Sequence, residues 1–124
     1  MKKNIIITGL PKTGKSTLLQ RIVRDFDQKV GFITHEVRDN GERVGFEAET
    51  HSGERFMLAS VSSTTDFKVS RYFVSTENLN QMISQVLQFD EQDLLFVDEI
   101  GQMQLASEDF KAVVKNYLDA PNIC

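Results

Sequence analysis

One eight-residue segment, Gly9–Ser16, limits the folds open to this chain more strictly than any other part of it. Its sequence, G-L-P-K-T-G-K-S, fits the pattern G-x-x-x-x-G-K-S/T and lies between a β-branched run, Asn4–Thr8, and a stretch with helical apolar spacing, Ser16–Phe26. In such a loop, backbone N–H groups and a helix N-terminus converge on negative charge, while the glycines let the backbone approach phosphate. An ordinary glycine-containing turn is the alternative, which the strand-loop-helix context disfavours. The segment therefore predicts a β-loop-α unit that binds phosphate.

The residues of this loop have separate predicted roles. Lys15 is expected to supply a point charge to the β- and γ-phosphates of a nucleotide and to take part in catalysis. Ser16 would offer its hydroxyl to Mg²⁺, and Thr17 would hydrogen-bond a neighbouring phosphate. The predicted nucleotide-binding residues are Gly9, Leu10, Pro11, Lys12, Thr13, Gly14, Lys15, Ser16 and Thr17.

A second group of candidate residues follows an apolar strand. The run Leu94–Val97 is followed by Asp98 and Glu99, and open α/β sheets present their ligands at the carboxyl ends of the strands. This arrangement resembles a Walker B element, in which Asp98 holds the Mg²⁺ shell and Glu99 deprotonates the attacking water. Two acids at a solvated strand end are the alternative. Together with the loop, the pair predicts a Mg²⁺ site at Ser16 and Asp98 with Glu99 as the catalytic base.

Apolar periodicity predicts an α/β layer fold with the element order strand, helix, strand, hairpin, helix, strand, helix. The predicted strands and hairpin arms are Asn4–Thr8, Val30–Thr34, Val44–Glu49, Arg55–Val61 and Leu94–Val97, and the predicted helices are centred on Ser16–Phe26, Leu79–Leu87 and Phe110–Leu118. The segment 51–54 has the turn chemistry of a hairpin, and Ser107 is expected to cap the last helix.

Size and charge narrow the class of protein. The 124 residues, 40% of them hydrophobic, have ordinary globular composition and predict a single nucleotide-binding domain, 1–124. The net charge of −4 has the wrong sign for a chain whose main partner is nucleic acid or an anionic membrane. Its longest apolar runs fall short of the roughly 20 residues that span a bilayer, and Met1–Asn4 does not start a signal peptide. The expected location is the cytoplasm. No Cys/His set has zinc spacing, so Mg²⁺ is the expected metal.

Four segments occur in an order and spacing that resemble one family. They are the phosphate loop, Gly31–Arg38 (G-F-I-T-H-E-V-R), Gly41–Phe46 (G-E-R-V-G-F) and Asp98–Gly101 (D-E-I-G). From Asn4 to about Pro121 the chain resembles the THEP-type nucleoside-triphosphatases, also called cancer-related nucleoside-triphosphatases. The segment that begins at Gly31 is more specific to the family than either nucleotide motif.

This resemblance implies a fold, an activity and further site residues. The implied fold is a three-layer, RecA-like P-loop domain with a mostly parallel sheet and an inserted β-hairpin. The implied activity is Mg²⁺-dependent hydrolysis of nucleoside 5′-triphosphates, such as ATP and GTP, with broad base selectivity. Thr34, Glu36, Arg38 and Arg43 match family positions near the site and become candidate substrate contacts. For the two arginines, surface ion pairs with Glu36 or Glu42 are the alternative.

The chain departs from the family pattern within the site region. Lys12 stands where the family usually has glycine, and its charge could reach a γ-phosphate, although a solvent-pointing lysine is the favoured interpretation. Gln104 replaces a glutamate, so no general base is expected there. His35 replaces a residue that is usually acidic, and it is expected to be a hydrogen-bonded neighbour of the site rather than a ligand.

The largest departure concerns length. Family members continue past the position of Cys124 into another strand and a lid, so the domain is expected to lack these elements. Because that strand would lie beside the phosphate-loop strand, the apolar run Ile5–Ile7 is expected to have an unpaired edge. Unpaired strand edges recruit partners, so the chain is predicted either to self-associate or to bind Mg²⁺-nucleotide weakly, with turnover well below that of longer relatives.

Two other functions fit the same motifs. A small nucleotide-dependent kinase would need a pocket for an acceptor hydroxyl and a mobile lid, and the sequence shows no acceptor-site pattern. A non-catalytic nucleotide-binding module would bind Mg²⁺-nucleotide without turnover, as Gln104 and the early chain end would favour. Phosphate release without an added acceptor indicates the hydrolase.

Overall fold

The computed structural model describes residues 4–10, 14–62, 68–69, 71–100 and 107–124. In these residues the helices are α1 (Lys15–Arg24), α2 (Thr76–Val86) and α3 (Glu108–Asp119). The strands are β1 (Lys29–Asp39), β2 (Glu42–Thr50), β3 (Arg55–Ser60), β4 (Lys68–Val69), β5 (Tyr72–Val74) and β6 (Leu94–Asp98). No helix in the described ranges is long and apolar enough to cross a membrane.

The strands form one sheet in the order β4-β5-β3-β2-β1-β6. Among the described strands, β1 and β6 form the single parallel pair, and every other neighbouring pair is antiparallel. The prediction of a mostly parallel sheet is therefore wrong for this part of the chain. The reason is that tight turns at Asn40–Gly41 and at 51–54 join β1, β2 and β3, and such turns reverse the chain direction. The predicted hairpin of β2 and β3 is confirmed.

Helices cover both faces of the sheet. One face carries the main core, in which Phe32 of β1 and Leu95 of β6 pack with Leu79 of α2 and Phe110 of α3. On the other face, Val23 of α1 packs with side chains of β6. The α/β layer architecture predicted from periodicity is confirmed, with β1 and β6 between the helices.

The predicted helices are confirmed, with ends that differ by a few residues. The side chain of Ser107 accepts a hydrogen bond from the Phe110 backbone N–H at 3.2 Å and caps α3 as expected. Ser75 caps α2 in the same way through the Asn78 N–H. Each cap satisfies a backbone donor that the first helical turn leaves without an internal partner.

The predicted strand Asn4–Thr8 is wrong, because no regular strand is formed there. The Ile5 N–H donates to the Cys124 carbonyl at 2.7 Å, and the Leu95 N–H of β6 donates to the Ile123 carbonyl at 2.9 Å. Residues 123–124 therefore separate Asn4–Thr8 from β6. A β-branched run becomes a strand only when a neighbour supplies a ladder, and two isolated backbone contacts do not form one.

Gly31 allows β1 and β6 to approach each other closely. A Cβ at this position would lie 1.9 Å from the Phe96 carbonyl oxygen, which belongs to the backbone and cannot rotate away. The Gly31 N–H also donates to His51 Nδ1 at 3.3 Å, and the His51 N–H donates to the Gly31 carbonyl at 2.9 Å. Gly31 thus joins the strand pair to the hairpin turn.

We expect Gly31→Ala to lower the free energy of unfolding by about 3 kcal/mol or more, because β1 and β6 must separate to admit the methyl group. Gly53→Ala is the matched control. Gly53 has a positive φ of 87° with no atom near its Cβ position, so its cost is limited to backbone strain of ~1–2 kcal/mol. Urea unfolding of both variants measures the difference, and equal losses would show that the close approach does not matter.

Tyr117 joins α3 to α2. Its side chain is buried, and its hydroxyl donates to the Val86 carbonyl. Burial, with a smaller contribution from Cys124, raises the pKa of Tyr117 well above its usual value. The folded state therefore keeps the phenol protonated where the unfolded state would ionise it.

We expect Tyr117→Phe to cost about 1–3 kcal/mol at neutral pH, because the Val86 carbonyl loses its buried partner. Since the pKa is raised on folding, the contribution of Tyr117 is complete below the unfolded pKa and is lost as pH rises above about 10. Urea unfolding at pH 8 and at pH 11 should show the gap between parent and variant narrowing. A gap that stays constant would contradict this assignment.

Candidate functional site

The N-terminus of α1 is arranged to receive an anion. Gly14 precedes the helix with a left-handed φ of 93°, and its carbonyl accepts from the Leu18 N–H at 2.9 Å. No side chain caps this end and no acid lies in the first turn, which consists of Lys15, Ser16 and Thr17. The unpaired N–H groups and the positive end of the helix dipole are therefore available to phosphate oxygens.

Lys15 lies over the loop that precedes its own helix. Its ammonium Nζ donates to the Gly9 carbonyl oxygen at 2.6 Å. This contact holds the ammonium beside Gly9, the first residue of the predicted phosphate loop. Three predicted loop residues, Pro11, Lys12 and Thr13, lie outside the described part of the chain.

The start of α1 and the end of β6 lie at the same edge of the sheet. The last turn of α1 lies beside Lys29, whose Nζ donates to the Val23 carbonyl at 2.9 Å. Lys29 is opposite Leu94, the first residue of β6, so the end of α1 lies at the beginning of that strand. The helix therefore runs antiparallel to β6, and its first turn lies toward Asp98.

Asp98 is a buried carboxylate at the carboxyl end of β6. Side chains alternate along a strand, so Asp98 shares a face with Leu94 and Phe96, the residues against which α1 packs. Its Oδ2 atom has no hydrogen-bond partner among the described residues. A buried carboxylate oxygen without a partner is costly, and it indicates a ligand that completes the site.

These donors fit Mg²⁺ bound together with a nucleotide. The described residues contain no group of three or more His, Cys, Asp or Glu side chains that could hold a metal unaided. Mg²⁺ is usually held by one or two protein oxygens, with waters and substrate phosphates completing the shell. Ser16 at the start of α1 and the unpartnered oxygen of Asp98 provide two such oxygen ligands.

Glu99 follows Asp98 directly and is exposed. It has no ion-pair partner among the described residues. Its carboxylate is therefore available to a water at the edge of the sheet. Gln104 lies outside the described residues, so the expectation that position 104 supplies no general base stays a prediction.

The four candidate substrate contacts lie at increasing distances from Asp98. Asp98 is opposite Ile33, so Thr34 is one residue beyond this level and Glu36 is ~10 Å beyond it at about 3.3 Å per residue. Arg38 donates to Glu36 at 2.9 Å and Arg43 does so at 3.2 Å. The surface ion pairs considered from the sequence are therefore present for both arginines.

These ion pairs affect the acid that they share. Burial opposes ionisation of Glu36, but hydrogen bonds from Arg38 and Arg43 hold its pKa below the usual value. Glu36 is therefore a carboxylate at neutral pH. His35 lies on the face of β1 opposite Glu36. Its Nε2 atom is hydrogen-bonded to Glu49 Oε1 at 3.0 Å, in agreement with the expectation of a hydrogen-bonded histidine.

Two residues beside the arginines were not found from the sequence. Tyr72 of β5 accepts a hydrogen bond from Arg43 Nε at 2.9 Å, and Arg71 binds the same hydroxyl. No local pattern indicates this contact, because Tyr72 lies 29 residues after Arg43. Only the sheet order, which places β5 two strands from β2, brings them together.

Comparison with known proteins identifies relatives along almost the whole chain. A family model described as NTPase matches residues 4–124. The nucleoside-triphosphatase THEP1 of Thermotoga sp. strain RQ2 is 37% identical over 118 residues, which are 94% of this chain and 68% of the relative. The cancer-related nucleoside-triphosphatase homolog of Mus musculus is 31% identical over 138 residues, with 99% of this chain and 73% of the relative covered.

A solved structure has the same fold. The crystal structure of THEP1 from Aquifex aeolicus matches with a TM-score of 0.80 at 32% sequence identity. The match covers 96% of this chain and 72% of the solved chain. The two proteins therefore share the overall α/β fold.

Proposed function

Because the chain belongs to the NTPase family, as its resemblance to the THEP-type enzymes predicted, we propose that it hydrolyses nucleoside 5′-triphosphates to diphosphate and phosphate. Nucleoside-triphosphatase activity is the function that these curated relatives share by name. The finer parts of the proposal are a requirement for Mg²⁺ and broad selectivity for the base. The oxygen ligands at the candidate site support the first, and the resemblance to the THEP-type enzymes supports the second.

The observation that supports the proposal best is the position of an uncapped helix N-terminus next to a buried carboxylate with an unpartnered oxygen. The first provides N–H donors and a lysine for phosphate, and the second provides an oxygen ligand for a cation. Each feature is costly by itself, since one leaves donors and the other leaves an acceptor without a partner. A Mg²⁺-nucleotide satisfies both at once.

In this proposal the chain contributes positioning and charge. Lys15 and the first N–H groups of α1 bind the phosphates, and Ser16 and Asp98 hold Mg²⁺. The bound cation would neutralise charge that develops on the phosphate oxygens. Contacts of this kind accelerate phosphoryl transfer mainly by orienting the groups and stabilising charge.

Glu99 is the proposed base. It follows Asp98 at the strand end, where a water can approach the terminal phosphate in line with the leaving diphosphate. Among the candidate substrate contacts, Thr34 lies closest to the level of Asp98 along β1, but on the opposite face of the sheet, which it shares with Phe32. Glu36, Arg38 and Arg43 lie farther along and are bound to one another.

The resemblance to the THEP-type nucleoside-triphosphatases supports the proposal of broad base selectivity. The test is phosphate release from ATP, GTP, CTP and UTP, with Mg²⁺ and with EDTA, alongside binding of the same nucleotides. We expect release from all four with Mg²⁺ and none with EDTA. Binding without release would favour the nucleotide-binding module, and transfer to an added small-molecule alcohol would favour the kinase. Either result would contradict hydrolysis as the function.

A further inference from the structure

A cluster of guanidinium groups surrounds one buried tyrosine, away from the phosphate loop. Tyr72 is 6% exposed, and its hydroxyl accepts hydrogen bonds from Arg43 Nε at 2.9 Å and from Arg71 Nη2 and Nε at 3.2 and 3.3 Å. Burial opposes ionisation of the phenol, but these donors hold the pKa of Tyr72 below its usual value. Two positively charged guanidinium groups, those of Arg43 and Arg71, therefore surround the Tyr72 hydroxyl oxygen.

The guanidinium groups are fixed on an aromatic platform. Phe46 and Tyr72 pack edge to face with ring centroids 5.1 Å apart. Arg43 Cζ lies 5.1 Å from the Phe46 centroid and 5.8 Å from that of Tyr72, and Arg71 Cζ lies 5.3 Å from the Tyr72 centroid. Arg71 Nη2 also donates to the Arg43 carbonyl at 2.6 Å. Little side-chain entropy remains to be lost when a ligand binds.

The charges of this cluster are not balanced. Arg38, Arg43 and Arg71 bring three guanidinium groups together, and Glu36 is the one carboxylate bound to them within the described residues. The side chains of Arg38 and Arg43 are 47% and 42% exposed, so a solute can reach them. Asp39 and Glu42 at the hairpin tip form no ion pair with them in the described ranges. Like charges held together in this way favour an added anion.

We propose that Arg43 and Arg71, bordered by Arg38, form a second oxyanion site that binds a phosphate group. The Tyr72 hydroxyl holds the two guanidinium groups in place, because it accepts from both of them and directs its own hydrogen to the Arg43 carbonyl at 3.5 Å. Planar guanidinium forks match the oxygen spacing of phosphate and bind it through pairs of charge-assisted hydrogen bonds. The ligand is either free phosphate or the phosphate of a small monoester, since both present the same dianion. The site lies on the face of the sheet that carries α2 and α3, whereas Asp98 faces α1.

This site is separate from the proposed nucleotide site. Arg43 binds Glu36, which lies ~10 Å beyond the level of Asp98 along β1. The sheet order adds a second displacement, because Tyr72 lies on β5, beyond β2 and β3. A phosphate bound at the start of α1 therefore does not reach the Tyr72 hydroxyl, and the two sites can be tested independently.

The test is a titration of the Lys15→Ala variant, in which the phosphate loop is disabled. Binding is monitored through the arginine side-chain Nε–Hε signals in ¹⁵N NMR spectra. The probes are inorganic phosphate and ribose 5-phosphate, each compared with sodium chloride at equal ionic strength. We expect saturable shifts of Arg43 and Arg71 with both phosphates and none with chloride. Arg55 is the internal control, since it is an exposed strand arginine that is paired with Glu47 and Glu49 elsewhere.

Tighter binding of ribose 5-phosphate would assign the site to a monoester, and equal binding would assign it to the phosphate group itself. Tyr72→Phe, which keeps the ring on its platform, and Arg71→Ala should each weaken phosphate binding about tenfold or more. Shifts that do not saturate, that include Arg55, or that chloride reproduces would overturn the proposal. If the parent protein does not hydrolyse nucleotides, that result contradicts only the proposed function of the phosphate loop. Failure of the proposed function and failure of the second site are therefore distinguishable.

Discussion

Replacing Lys15 with alanine is expected to abolish measurable binding of Mg²⁺-nucleotide. The ammonium donates to the Gly9 carbonyl oxygen at 2.6 Å, and we propose that it binds the phosphates of the nucleotide. Removing one partner of a desolvated charge pair typically costs about 2–5 kcal/mol, which is a loss of roughly 30- to 4,000-fold in affinity. Isothermal titration of the parent and the variant with a non-hydrolysable triphosphate and Mg²⁺ measures the change.

The matched control for this experiment is Lys111→Ala. Lys111 is also a lysine in the first turn of a helix, but it is paired with Glu108 at 3.1 Å on the exposed side of α3. It should leave nucleotide affinity unchanged, while thermal unfolding confirms that both variants are folded. Equal affinity of Lys15→Ala and the parent would refute the phosphate-loop assignment.

The parts of the fold that the sequence predicts well depend on local physical chemistry. An apolar face recurring every three or four residues predicts α2 and α3, because that spacing holds wherever the helix packs. Ser107 caps α3 because its side chain reaches a donor only three residues away. The pattern of the loop before α1 is also local, but residues 11–13 lie outside the described residues, so the conformation of that loop stays a prediction.

Strand pairing is less predictable, because a ladder depends on residues far away in the chain. Asn4–Thr8 has the composition of a buried strand, yet Ile5 and Ile6 are 71% and 78% exposed. The predicted strand ends at Thr34, whereas β1 extends to Asp39, and a sequence pattern just after Asp39 indicates this longer strand. Asn40 and Gly41 have φ values of 50° and 82°, and an Asn-Gly pair is a strong indicator of a two-residue hairpin.

The residues of the candidate site also differ in whether a local sequence pattern can identify them. Motif residues such as Lys15 and Asp98 can be found from sequence because adjacent residues carry the chemistry. The hydrogen bond between Arg43 and Tyr72 cannot be found in this way, because only the order of β2, β3 and β5 in the sheet brings the two residues together. The unpartnered oxygen of Asp98 is likewise visible only once burial is known. Roles of individual residues in catalysis stay predictions until variants are measured.

Replacing Glu99 with glutamine is expected to separate binding from chemistry. The amide keeps the size of the side chain but cannot accept a proton from the attacking water, so turnover should fall about a hundredfold or more. Nucleotide affinity should be retained, because binding of the phosphates and the cation is proposed for Lys15, Ser16 and Asp98 instead. Single-turnover hydrolysis and a separate binding titration measure the two quantities on the same sample.

Glu91→Gln provides the comparison for this substitution, because Glu91 is an exposed acid in the turn before β6, at the opposite end of that strand from Glu99. It removes the same charge and should leave turnover within about twofold of the parent if Glu99 acts as a base. If Glu99→Gln hydrolyses as fast as the parent, the water has another base or needs none. If both variants slow equally, the effect is one of the net charge of the protein. A selective loss in Glu99→Gln with unchanged affinity assigns proton acceptance to this carboxylate, because no change in binding could produce that combination.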